Sequence, residues 1–235
     1  ASQVSNSWIS ASGTALPHRD STISAEVNGK IIERPVTRGQ KVTRGQLLMR
    51  LDSDSFRFQK QQAEAALAAA RAAAQQLERD FARAEKLKQD DSIAEANFER
   101  TKTQLDAAKA QLAQAEAGLS LAQKVLSLSE LRAPYDGTVT QVTKEVGEMV
   151  TLMPPTPLLR LVDTSSLEVQ FHLPESEAPF VKVGSKAQVA IESAASECEG
   201  QVIFVSEQIQ PGTQTFEVRV RLDNPEGRIK AGAFA

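Results

Sequence analysis

The chain has 235 residues, a formal net charge of −3, 41% apolar residues and only 5% aromatics. So few large rings argue for small β-modules and an elongated shape over one large core, and no basic run points to nucleic acid as a partner. The single cysteine, Cys198, excludes an internal disulfide and a cysteine-rich metal site, and no run of about 18 apolar residues marks a membrane span.

The first residues, Ala1-Ser2-Gln3-Val4-Ser5, read as a mature or trimmed start without a signal peptide. Residues 8–28 alternate loosely around Gly13 and Pro17, which predicts a strand, a turn and a second strand. Asn28-Gly29 is a hairpin-turn signal. From Lys30 to Leu51, short β-branched runs are broken by Pro35, Gly39 and Gly45, the pattern of short strands in a small sandwich or barrel.

The pattern changes at Asp52-Ser53-Asp54-Ser55, a cluster of N-cap residues. Apart from Gly118, glycine and proline then vanish until Pro134. Residues 56–89 are rich in helix formers. Within them Ala63, Leu67, Ala70, Ala74, Leu77, Phe81 and Ala84 alternate at spacings of three and four, a heptad seam. Asp90-Asp91-Ser92 supplies turn and capping chemistry. A second seam follows: Phe98, Thr101, Leu105, Ala108, Leu112, Ala115, Leu119, Ala122 and Leu126. It ends near Glu130, and Pro134 forbids further helix. Two such helices joined by a tight turn predict an antiparallel hairpin of about 34 residues per arm, roughly 50 Å long.

After the helices the first β-segment repeats. Residues 29–52 read Gly29-Lys30-Ile31-Ile32, Val36-Thr37-Arg38-Gly39 and Leu47-Leu48-Met49-Arg50-Leu51-Asp52. Residues 130–163 read Gly137-Thr138-Val139-Thr140, Lys144-Glu145-Val146-Gly147 and Leu158-Leu159-Arg160-Leu161-Val162-Asp163. The two glycines stand ten residues apart in both, and the second copy is longer by a loop carrying Pro154, Pro155 and Pro157. Residues 164–235 alternate again, at Leu167, Val169, Phe171 and Leu173, at Ala187, Val189 and Ile191, and at Phe216, Val218, Val220 and Leu222. A short helix fits Pro174 to Lys182, and the whole suggests a small barrel. Ala233-Phe234-Ala235 reads as strand interior, so further sequence is expected beyond it.

Little here points to bond chemistry. His18 and His172 are far apart in sequence and read as surface or loop residues. Met49, Met149 and Met153 allow a soft-metal reading, but Met49 and Met149 lie in the paired half-motifs and are expected in the core. No nucleophile elbow, zinc motif or phosphate loop occurs. The expectation is no catalytic residue, no metal and no cofactor.

The repeated half-motifs, the inserted hairpin and the late β-segment resemble the periplasmic adaptors of bacterial efflux pumps, the membrane fusion proteins of the HlyD type. Leu131-Arg132-Ala133-Pro134-Tyr135-Asp136-Gly137 carries the resemblance, as do Thr213-Gln214-Thr215, Asn224-Pro225 and Lys230-Ala231-Gly232-Ala233-Phe234. It implies an elongated α+β fold: a split lipoyl- or biotinyl-like sandwich with an inserted coiled-coil hairpin, then a β-barrel. The corresponding bounds are a strand segment of barrel or membrane-proximal part at 1–20, half-sandwiches at 21–54 and 130–163, the hairpin at 55–129 and the barrel at 164–235. A membrane-proximal domain is expected to be absent or incomplete. Lipoyl and biotinyl carriers present a lysine on a Met-Lys-Met turn; that motif is missing, so no such modification is expected.

The resemblance is greatest to adaptors of resistance-nodulation-division (RND) pumps. It implies a periplasmic, inner-membrane-associated subunit assembled as a trimer or hexamer. Such a subunit bridges an inner-membrane transporter to an outer-membrane TolC-like channel. These adaptors carry Arg-x3-Leu-x6-Ser at the hairpin tip. Arg83 and Leu87 match the first two positions, the third falls on Ala94, and Ser92 lies two residues early. With Asp90 these five residues form the expected docking site. An adaptor for an ABC or major-facilitator exporter or a type I secretion system is the alternative. A carrier domain or coiled-coil scaffold is the alternative of another class.

Overall fold

The structure is a computed structural model that describes residues 9–191 and 196–234. In chain order its elements are β1 (Gly13–Ser24), β2 (Gly29–Glu33), β3 (Lys41–Val42), β4 (Leu47–Leu51), α1 (Asp54–Gln89), α2 (Glu95–Ser127), β5 (Glu130–Arg132), β6 (Gly137–Val142) and β7 (Met149–Val150). They continue with β8 (Pro157–Pro174), a 3-10 helix (Glu175–Phe180), β9 (Lys186–Ile191), β10 (Ser196–Gln210) and β11 (Thr215–Asp223). The 3-10 helix lies where the sequence suggests a short helix.

Two apolar cores form. Ile31, Val36, Leu48, Met49, Leu51, Val139, Leu158, Leu159 and Leu161 fill the sandwich. Leu167, Val169, Val189, Val202, Phe216, Val218, Val220 and Leu222 fill the barrel. β8 serves both, because its 18 residues run through the sandwich and into the barrel. One edge of β8 pairs with β1 along almost its whole length. Its other edge pairs with β6 from Leu159 to Val162 and with β11 from Ser166 to Pro174. Beyond β11 the order continues through β10 to β9. On the far side of β1, Thr14 bridges Phe234.

The two half-motifs interlock by matching hydrogen bonds. Gly39 N–H donates to Val139 O at 2.7 Å, and its counterpart Gly147 N–H donates to Ile31 O at 2.8 Å. Val139 N–H reaches Gln40 O at 3.0 Å, and Ile31 N–H reaches Glu148 O at 2.9 Å. β3 pairs with the start of β6, and β7 pairs with the start of β2. Arg44 N–H donates to Asp136 Oδ1 at 2.6 Å, and Leu152 N–H to Asn28 Oδ1 at 2.7 Å. Gly39 and Gly147 both hold positive φ, 87° and 97°, where a side chain is strained.

Three expectations are corrected. Asn28-Gly29 is not a hairpin turn, since β1 pairs with β8 while β2 pairs with β4 and β7. Asn28 instead accepts the Leu152 N–H, and Gly29 lets β2 approach β4, where an added Cβ would lie 3.3 Å from Leu51 Cβ. Residues 13–24 form one strand with no turn. Pro17 is accommodated at the register shift between Pro17 and Arg19, where pairing is interrupted. Met49 is buried as expected, but Met149 is exposed. In the two-residue strand β7, Val150 points inward, so alternation turns Met149 outward, as it turns Lys41 outward beside the buried Val42 in β3.

The packing around Gly137 and the β1–β8 pair can each be tested. A Cβ at Gly137 would lie 2.7 Å from Val162 O, a backbone atom that cannot yield without shifting β8. Gly137→Ala should cost about 2 kcal/mol or more in equilibrium denaturation, against about 1 kcal/mol for Gly39→Ala, which has open space and only a φ penalty. The β1–β8 pair responds to pH. Arg160 Nε donates to Asp20 Oδ1 at 2.7 Å across it, with a second bond to Oδ2. The guanidinium holds the Asp20 carboxyl below its usual value. A lowered carboxylate contributes stability above the ordinary aspartate range, and that stability is lost as pH falls below it. The Tm gap between wild type and Asp20→Asn should therefore narrow below about pH 4.

Candidate functional site

The expected docking residues lie on the hairpin. α1 has 36 residues and α2 has 33, so the arm reaches about 50 Å from the sandwich. Every residue of both predicted seams is buried or half-buried, with Ala70, Ala74, Ala84, Leu105 and Ala108 the most enclosed. Alanine at these positions removes bulk, so the two helices approach closely. Ion pairs across the hairpin, Arg71–Glu116 at 3.9 Å and Glu78–Lys109 at 3.8 Å, are exposed and add little.

At the tip the chain reverses through a Schellman turn. Asp91 N–H donates to Lys88 O at 3.1 Å and Ser92 N–H to Leu87 O at 2.8 Å. Asp91 takes the left-handed position at φ 51°, which short polar side chains tolerate. Ser92 Oγ donates back to Asp90 O at 3.0 Å. The expected side-chain capping of the second helix is absent: α2 starts after Ala94, which makes no side-chain cap bond. Lys88 closes the end instead. Its ammonium pairs with Glu95 at 2.8 Å and lies 4.1 Å from the centroid of the Phe98 ring. Phe98 in turn packs on Phe81 with centroids 5.5 Å apart.

All five predicted docking residues are exposed at this end. Arg83 and Leu87 are one turn apart on one face of α1, off the seam. Arg83 is hydrogen-bonded to Asp80, and that bond holds the Asp80 carboxyl below its usual value. Leu87 is 46% exposed. Asp90, Ser92 and Ala94 follow through the turn. A cationic fork beside an open apolar side chain suits a partner surface that offers a carbonyl or carboxylate next to a shallow groove. Sequence reasoning missed Lys88 and Glu95. Their signal was a base in the last turn of one helix facing an acid in the first turn of the next, which both helix dipoles favour. His18 lies half-buried 3.9 Å from Glu168, His172 is exposed, and no group of three or more potential metal ligands occurs among the described residues. Replacing Asp91 with glycine should relieve the left-handed backbone by about 1 kcal/mol, and hydrogen exchange at the Asp91 and Ser92 amides should slow about fivefold.

Comparison with known proteins accords with this architecture. Residues 19–161 match the family described as RND MFP, barrel-sandwich hybrid domain, and residues 167–235 match a CusB-like β-barrel domain. The multidrug resistance protein MdtA of Yersinia enterocolitica is 24% identical over 238 residues, covering 97% of this chain and 54% of MdtA. The chain thus spans about half the length of the curated relatives it matches. The MacA structure from Actinobacillus actinomycetemcomitans superposes with a TM-score of 0.73 at 21% identity, covering 95% of this chain and 75% of MacA. The membrane fusion protein Spr0693 from Streptococcus pneumoniae R6 superposes with a TM-score of 0.71 at 22% identity, covering 95% and 94%. With that sandwich model spanning more than half of its residues, the chain belongs to the RND membrane fusion protein family.

Proposed function

We propose that this chain is the sandwich, hairpin and barrel portion of a periplasmic adaptor in a tripartite efflux pump of the RND class. It sits at the inner membrane beside its transporter and extends the hairpin toward an outer-membrane TolC-like channel. The carrying observation is the hairpin itself. Its seam is fully used between α1 and α2, yet Arg83 and Leu87 stand exposed at the far end. The description of the matched sandwich domain is the support for the RND class, and an ABC or major-facilitator exporter is the alternative. Several copies pack side by side, as a trimer or hexamer. The role is mechanical, bridging a gap and lining a conduit without bond chemistry. The carrier reading is disfavoured because the helical arm occupies the place of the lysine-bearing turn.

Cross-linking from the tip tests the reading. Cys198→Ser with Asp90→Cys should give, in the native host, an adduct whose partner mass spectrometry identifies as an outer-membrane channel. Adducts only with inner-membrane or cytoplasmic proteins, in cells that express the pump, would remove the bridging role. Arg83→Glu with Leu87→Asp should lower adduct yield about tenfold, a loss of ~1.4 kcal/mol. The helical circular dichroism should stay unchanged, because both residues lie off the seam.

A further inference from the structure

The hairpin has two unlike flanks. On α1 the residues that follow the seam positions include Glu64, Arg71, Glu78 and Glu85, and on α2 they include Lys102, Lys109 and Glu116. Arg71–Glu116 and Glu78–Lys109 join these two sets, so they lie together along one side of the seam. In an antiparallel pair the residues that precede the seam positions then share the other side. On that flank only Asp80, Arg83 and Arg100 are charged. The rest are uncharged, among them Ala69, Ala73, Gln76 and Leu87 on α1 and Gln104 and Gln111 on α2.

The three charges are not equivalent. Arg83 bonds Asp80, and Asp80 also accepts from Gln76 Nε2 at 3.2 Å. Arg83 and Asp80 are therefore neutral as a pair. Arg100 is exposed and makes no ion pair or hydrogen bond among the described residues. Its helical neighbours three and four residues away are Ala96, Asn97, Thr103 and Gln104, none of them acidic. The ion pairs across the hairpin also set its height. Glu78 meets Lys109 and Lys88 meets Glu95, so Arg100 stands across from the turn of α1 between Arg83 and Leu87.

We propose that Arg100 is a docking residue and that it binds a carboxylate on a helical surface of the outer-membrane channel, while Leu87 fills an apolar groove beside it. The inference rests on the reading of the tip as the docking end. Arg83 already has its carboxylate in Asp80, so Arg100 is the arginine that recognises the partner's charge. One unpaired guanidinium on an uncharged helix face is matched by one acid on an otherwise uncharged helix, because any further charge would lose water without gaining a partner. A second copy of the chain fits less well. Laid flank to flank with both tips on the same side, two copies would set Arg100 of each against Arg83 of the other. On the opposite flank Glu64, Glu78 and Glu116 are already paired.

Neutralising Arg100 and Lys102 in turn separates recognition from bulk charge, because the two stand at nearly the same height on opposite flanks of α2. In the Cys198→Ser, Asp90→Cys chain cross-linked in the native host, Arg100→Gln should lower the yield of channel adduct about tenfold, and Arg100→Lys should restore it to within about threefold. Lys102→Gln should leave the yield within about twofold. Helical circular dichroism and Tm should not move in any of the three, since both side chains are exposed. A channel adduct as abundant with Arg100→Gln as without it would overturn the inference and leave tip docking intact. Equal losses from Arg100→Gln and Lys102→Gln would overturn it too, because they would report net charge alone. No channel adduct from the parent chain, or an adduct between two copies in its place, would remove the docking reading and this inference with it.

Discussion

The crossed backbone hydrogen bonds between the half-motifs are the constraint on which the rest of the structure depends. Gly39 N–H is satisfied by Val139 O, and Gly147 N–H by Ile31 O. Each half thus supplies the partners that the other half's loop requires, and neither is a complete sheet alone. Buried backbone groups left without partners are costly. Whatever joins Leu51 to Glu130 must therefore return to its starting point. An antiparallel pair of helices does this at any length in whole turns, and so the sandwich can carry a long arm without altering its own core.

A second coupling lies in the β1–β8 ribbon. β8 contributes Leu158, Leu159 and Leu161 to one core and Leu167, Val169 and Leu173 to the other. β1 runs beside it, with Ala15 in the barrel core and Ile23 packed on the sandwich core. Two hydrogen-bonded strands shared by two cores resist bending more than a single-chain linker does. The register shift between Pro17 and Arg19 falls where the ribbon passes from one core to the other.

Much of this is legible in the sequence. The heptad seams are visible because helical packing repeats at a fixed spacing, and every residue of both is buried or half-buried. The duplicated glycines are visible because positive φ and close backbone approach leave little choice of residue. What misleads are signals whose meaning depends on distant partners. Asn28-Gly29 has the composition of a turn, yet Asn28 serves a backbone N–H far along the chain. Met149 reads as core by composition, but alignment on the first copy places it at the outward slot of Lys41. The Lys88–Glu95–Phe98 cluster crosses a turn, so no single-helix periodicity reports it.

The same logic explains why outward side chains at the tip are less constrained than those that face the partner helix along the arm. Along the arm, side chains facing the partner helix are fixed by the need for close approach, and alanine meets that need at Ala70, Ala74, Ala84 and Ala108. At the end this constraint relaxes. The reversal is held by backbone bonds to Leu87 O and Lys88 O and by the lysine seated on Phe98. Little of that depends on which side chains point outward. Arg83, Leu87 and Asp90 can therefore change while the hairpin stays intact, and Ala94, standing where the resemblance expects serine, is accommodated without altering the fold.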